Sequence, residues 1–252
     1  DTVQDPGFIS SMFMQDLFSR GFQFPDTPTL NGVGMVHPSY YLRDRFDEVF
    51  HMANALKVAY RWATGIELER HDKDYEAYFE AQPAIPYMDE IIRAYRAGEI
   101  EYFALDLETI GPEDNKVKGA LKPFLPGGRV LTINLSHKPH FGRVIYLAHS
   151  DTRMTVSEQS YVASKYAELL AEVPAVGANL RFDMHWSRFK LGAKSWNIVH
   201  DTQLMHYAIF LGTARNDLKT LTSKYLEEDA GYEDDLKRCL EVLDKPDRHF
   251  EN

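Results

Sequence analysis

A carboxylate pair ends the apolar run Phe103-Ala-Leu-Asp-Leu-Glu-Thr109. Side chains alternate faces along a strand, so in that conformation Asp106 and Glu108 project the same way. Two acids crowded on one face repel unless a positive charge sits between them, and their hard oxygens suit Mg²⁺ or Mn²⁺. Taken alone, the pair equally marks a solvated strand end turning into a loop. A second polar cluster lies in Val176-Gly-Ala-Asn-Leu-Arg-Phe-Asp183, where a small-residue run reaches Asn179 and an amphipathic segment continues through His185, Trp186 and Phe189. That pattern is a strand-to-helix junction with an acid, Asp183, near the helix start. A third segment, Asp201-Thr-Gln-Leu-Met-His-Tyr207, opens on an N-cap-like Asp ahead of further apolar periodicity.

The order of these segments resembles the 3′–5′ exonucleases that use four acidic residues, and especially the exonuclease domain of family A DNA polymerases. Asp-x-Glu-Thr is matched at Asp106, Glu108 and Thr109, and Asn-x-x-Phe-Asp at Asn179, Phe182 and Asp183. Asp-Thr-x-Leu is matched from Asp201 to Leu204, and the resemblance covers about residues 99 to 243. It implies two divalent ions, Mg or Mn, as cofactors: one acidifies the attacking water and the other stabilises the leaving 3′ oxygen. Asp106 would bridge the metals, Glu108 would position a metal and the water, and Asp183 would complete the second metal's shell, partly through water. All three are expected to converge at the sheet's end. Thr109, Asn179 and Phe182 are the implied substrate-binding residues, with Asn179 near the terminal nucleotide, while Asp201 is read as an orienting or capping residue. The implied partner is a single-stranded or frayed DNA 3′ end, with a polymerase domain in the same longer polypeptide. Two alternatives stay open: an RNA-trimming enzyme of the ribonuclease D type, and a catalytically inactive module that holds nucleic acid.

One departure from the family concerns the fourth acid, expected in a late Tyr-x-x-x-Asp or His-x-x-x-Asp motif. Tyr225 to Asp229 fits literally, yet the Gly231-Tyr-Glu-Asp-Asp235 stretch reads as the segment that precedes that motif. The expectation is that the fourth ligand is missing, that Asp229 does not replace it, and that hydrolysis by this chain is weak or absent. At the front, Gly34 to Arg43 contains His37-Pro-Ser39, similar to the segment that closes uracil-DNA glycosylase-like domains. His37 is expected to be structural there. The opening on Asp1 and the charged end at Asn252 suggest a fragment of a longer chain.

Those motifs need a scaffold, and 252 residues can bury one full domain plus a smaller piece. Hydrophobic residues at 44% and charged residues at 26% are ordinary for a globular protein, and no apolar run is long enough to span a bilayer. Single Cys239 excludes an intramolecular disulfide framework and fits a reducing cytoplasm, which the resemblance implies is that of a bacterium or phage-infected cell. Net charge of −10 argues against strong non-specific nucleic-acid binding by the whole chain, though not against a nuclease whose metals supply local positive charge. Basic Arg181, Arg188, Lys190 and Lys194 read as a solvated helix face, with a strand-facing role as the alternative. Residues 1–98 read as a smaller, mainly helical region, and residues 99–252 as the α/β exonuclease domain. Strands are expected at Tyr102–Asp106, Val130–Leu135, Val144–Ala148 and Ala175–Ala178. Thr155-x-x-Glu158 is a capping box opening a helix to Glu172, and helices follow near 182–191, 202–211 and 218–226. Further helical spacing covers Phe46–Tyr60 and Met88–Tyr95. This succession matches the ribonuclease H-like mixed sheet flanked by helices that the resemblance implies. The His137-Lys-Pro-His140 segment reads as a surface loop, because Pro139 spoils a helical metal spacing.

Overall fold

A computed structural model describes residues 21–24, 27–33, 38–41, 49–66, 72–111, 122–210 and 217–226. Its strands are β1 (Gly21–Phe24), β2 (Thr27–Val33), β3 (Asp74–Tyr78), β4 (Phe103–Ile110), β5 (Arg129–Ser136), β6 (Phe141–Tyr146), β7 (Ala175–Gly177) and β8 (Ile198–Asp201). Its helices are α1 (Pro38–Tyr41), α2 (Val49–Thr64), α3 (Ala81–Arg96), α4 (Val156–Glu172), α5 (Leu180–Lys190), α6 (Thr202–Ile209) and α7 (Leu218–Tyr225). Two compact units divide them: Asp1–Arg70 with Gly212–Asn252, and His71–Leu211.

In the first unit, β1 and β2 form an antiparallel pair, and α7 packs on α2. Asp217 caps α7, accepting from the Thr220 N–H at 3.0 Å. This unit holds strand as well as helix. The hairpin is short, with Gly at one end and Pro inside β2, so it carries little of the alternation that marks a strand.

The second unit is an α/β sheet of six strands in the order β3-β6-β5-β4-β7-β8. β6, β5 and β4 run antiparallel in sequence, whereas β4, β7 and β8 are parallel, and β3 adds to β6 in parallel. That is the ribonuclease H-like mixed sheet. One face buries Phe103, Leu105, Leu107, Ile133, Leu135 and Ile145, and Met88, Ile91, Val162, Tyr166 and Leu169 from α3 and α4 join this core. Each fully buried side chain of this size contributes about 1.5–3 kcal/mol. The capping box is present: the Thr155 N–H donates to Glu158 Oε2 at 2.8 Å, and the Glu158 N–H donates to Thr155 Oγ1 at 3.3 Å.

This unit begins ahead of residue 99, because α3 belongs to the core and β3 to the sheet. Helical spacing shows α3 only from Met88, since Pro83 and Pro86 interrupt the pattern. Proline is tolerated near a helix N-terminus, where few N–H groups have intrahelical partners, and Pro86 gives up one bond. β3 is almost wholly exposed, so it has no apolar alternation to read. Arg143 anchors it: the guanidinium reaches Asp74 Oδ1 at 2.9 Å and Oδ2 at 3.2 Å, donates to Tyr78 Oη at 3.1 Å, and stacks 3.8 Å from the Phe141 ring centre. The expected effect of Arg143→Ala is loss of about 2–3 kcal/mol in urea denaturation. Amide exchange should quicken across Asp74–Tyr78 while β4 stays protected. Equal protection of β3 in both proteins would show that backbone pairing alone holds the strand.

Candidate active site

Alternation along β4 places Leu105 and Leu107 in the core and leaves Asp106 and Glu108 exposed on the opposite face. Across the sheet, Asp106 is paired with Asn134 of β5 and Glu108 with Thr132. Asn134 Nδ2 donates to Asp106 Oδ2 at 3.0 Å. Just beyond, the register jumps from Glu108↔Thr132 to Thr109↔Val130, leaving Leu131 as an extra residue on β5. A bulge of this kind bends the strand and re-aims the side chains beside it.

Asp183 arrives from the other side. β7 pairs with β4 only at Phe103 and Ala104, so farther along β4 the backbone edge is open. The first turn of α5 fills it: the Leu107 N–H donates to Asp183 Oδ1 at 2.9 Å. Asp183 is buried, with 3% exposure. Burial, the Asp106 charge and the Asp201 charge push its carboxyl up to about 7 against the opposing pull of the Leu107 N–H. Desolvation raises Glu108 as well, reinforced by the Asp106 charge. The Asp106 charge therefore reaches both Glu108, on its own strand, and Asp183, on the neighbouring helix.

The turn that delivers Asp183 is tightly specified. Asn179, at the N-cap of α5, is left-handed (φ 58°), a conformation asparagine tolerates. Its side chain makes no capping bond and the residue is exposed. Capping is done from a distance by Asp201. Its Oδ1 accepts from the N–H groups of Asn179 (3.2 Å), Gln203 (3.0 Å) and Leu204 (3.3 Å), and its Oδ2 accepts from Leu180 (2.8 Å). One carboxylate thus closes the N-termini of both α5 and α6, where negative charge is favoured. With both oxygens occupied, Asp201 is an orienting residue. Phe182 is half-buried against the core, with its ring 6.1 Å from that of fully buried Trp186. Thr109 is half-buried at the bulge. Arg181, Arg188 and Lys194 are exposed, and Lys190 Nζ donates to the Leu125 carbonyl at 2.9 Å.

No protein-family model matches the sequence, and no curated protein matches it. Solved structures do resemble it. A nuclease in its apo form aligns at 19% identity over 63% of this chain and 62% of that one, with a TM-score of 0.40. The EXO domain of Aedes aegypti Nibbler aligns at 12% identity over 66% of this chain and 75% of that one, TM-score 0.44. Trypanosoma brucei RNase D in complex with RNA aligns at 15% identity over 54% and 40%, TM-score 0.38. The chain spans less than two thirds of the length of the first and third of these.

The donor set suits a hard divalent cation. Its groups are carboxylates, Asp183 is buried among like charges, and no basic side chain among the described residues contributes to the shift of Asp183 or Glu108. Among the described residues, no group of three or more His, Cys, Asp or Glu side chains is placed to hold a metal ion, so the three acids expected to converge do not form such a group as they stand. Asp229 and His37 lie outside the described residues. His137 is a packed side chain, its Nδ1 3.2 Å from Tyr87 Oη and its ring 4.9 Å from Phe141. A cleft of about 1030 Å³ opens beside it, lined by Glu90, Tyr102, Ala104 and Ser136 and by none of the three acids. Among the described residues no helix is long and apolar enough to cross a membrane.

Sequence reasoning missed Asn134 and Gly177. Asn134 had a visible signal: Thr132, Asn134 and Ser136 are polar at alternate positions, with Leu131, Ile133 and Leu135 between them. Gly177 had none, because its role is a close approach. A Cβ there would lie 2.7 Å from the Leu105 carbonyl oxygen and 2.5 Å from Leu180 Cδ2. Gly177→Ala should therefore push α5 away from β4 and cost about 1–3 kcal/mol. Amide exchange at Leu107, which the Asp183 carboxylate protects, should accelerate. A variant with unchanged stability and unchanged Leu107 protection would show that the junction yields without moving Asp183.

Proposed function

We propose that this chain is a metal-dependent 3′–5′ exonuclease that hydrolyses terminal phosphodiester bonds to nucleoside monophosphates. The observation that supports the reading is that the Asp106 charge acts both on Glu108, two residues along the same strand face, and on buried Asp183 from a separate motif. Asp106, Glu108 and Asp183 would hold the divalent ions, which when bound supply an acidified water and neutralise the phosphate. Asp183 keeps its position through the Leu107 N–H whether or not its carboxyl carries a proton, since Oδ1 accepts in either state. Glu108, exposed and raised, can take a proton from an attacking water on the open face of the sheet. Asn179, exposed and with its side chain unbonded, can orient the terminal nucleotide, with Thr109 and Phe182 as the other substrate-binding residues.

The motif order supports the proofreading branch linked to family A polymerases, acting on single-stranded or frayed DNA 3′ ends in a bacterial or phage-infected cytoplasm, with a polymerase domain in the same longer polypeptide. A second reading, an inactive module that holds a strand, is favoured by one observation. Asp201, the other acid that acts on Asp183, has both oxygens occupied by backbone amides. The test is a gel assay on 5′-labelled single-stranded DNA and RNA, with Mn²⁺ and with EDTA. Stepwise shortening that EDTA stops supports the enzyme and identifies its nucleic acid. Binding of either strand without shortening supports the inactive module.

A further inference from the structure

We infer that Asn134 is a positioning residue for metal binding, acting through Asp106; this rests on the reading of the acid patch as a metal site. Asn134 sits directly across the sheet from Asp106, on the open face, and its Nδ2 donates to Asp106 Oδ2 at 3.0 Å. The bond fixes the carboxylate about its side-chain torsions and leaves Oδ1 as the oxygen free to ligate. Flipping the amide would set Asn134 Oδ1 against Asp106 Oδ2, two acceptors facing each other, so the orientation is dictated by the acid.

The other end of the same amide shows why the residue is there. Asn134 Oδ1 is buried and, among the described residues, accepts no hydrogen bond. An asparagine kept for the stability of a strand would satisfy both ends, because an unpaired buried carbonyl is unfavourable. Here the fold tolerates an orphaned acceptor and keeps the donor aimed at Asp106. Its neighbour Thr132, across from Glu108, shows the same signature, with its Oγ1 buried and unpartnered among the described residues. The face that carries the acids is thus lined by polar groups whose hydrogen bonding is incomplete, which suits a surface that a charged group completes.

A structural asparagine and a positioning asparagine give opposite results on replacement by an apolar side chain of similar size. In Asn134→Leu both the orphaned carbonyl and the donor disappear. The melting temperature of the metal-free, full-length chain should stay level or rise, while its affinity for Mn²⁺, titrated by calorimetry in the absence of nucleic acid, should fall about tenfold or more. Wild-type affinity in the variant would overturn the inference, and so would unfolding or a melting temperature several degrees lower. Failure of the wild-type chain to bind Mn²⁺ at all would instead sink the metal-site reading on which it rests.

Discussion

Asp106→Ala is expected to abolish whatever metal-dependent shortening of a 3′ end this chain performs. Groups that act as a unit lose nearly everything when one is removed, because metal position and water activation fail together. Asp106 is the hub of this patch: its charge raises both Glu108 and Asp183, and it alone takes the Asn134 amide. Exposed on the sheet face, it contributes little packing, so the variant should fold and melt close to wild type. The measurement is a single-turnover gel assay with Mn²⁺, alongside a melting curve. Activity within tenfold of wild type would remove Asp106 from the mechanism, and the reading of the acid patch would go with it.

Asp183→Asn should separate stability from function in the opposite direction. The Asp183 carboxyl is raised to about 7 from its ordinary value of 3.8. In the unfolded chain it ionises near the ordinary value, so across the window from about pH 4 to 7 the unfolded state sheds a proton that the native state keeps. A group of this kind makes metal-free stability fall as pH rises, with the loss complete above pH 7. Asparagine keeps an oxygen for the Leu107 N–H and carries no charge. The metal-free variant should therefore match wild type near pH 4 and exceed it at pH 8 by about 2–4 kcal/mol. Mn²⁺ should stabilise wild type more at pH 8 than at pH 5.5, since binding needs the ionised acid, and should stabilise the variant little. The difference between the two proteins across pH isolates Asp183 from other titrating groups. A variant less stable than wild type at pH 8 would show that the charged form is the one the fold prefers.

Part of the candidate site's local geometry was legible in the chain. Alternation in Phe103–Thr109 set Asp106 and Glu108 on one face, because a strand admits no other arrangement. Thr155 and Glu158 announced the start of α4, and Asp201 its capping role, since those depend on groups a few residues apart. The strand and helix succession matched the ribonuclease H-like order that the resemblance implied. Other features depend on residues that are distant in sequence. β3 has no apolar face and exists through pairing with β6 and the reach of Arg143. Pro83 and Pro86 hid the start of a helix that the core holds together. Asp183 became a buried acid because β7 stops short along β4 and leaves the Leu107 N–H for it. Asn134 became its neighbour's donor only once β5 had paired with β4 in this register. Local spacing determines which side chains share a face. Burial, the partner on the next strand and the charge an acid can carry are decided by what the folded sheet brings beside it.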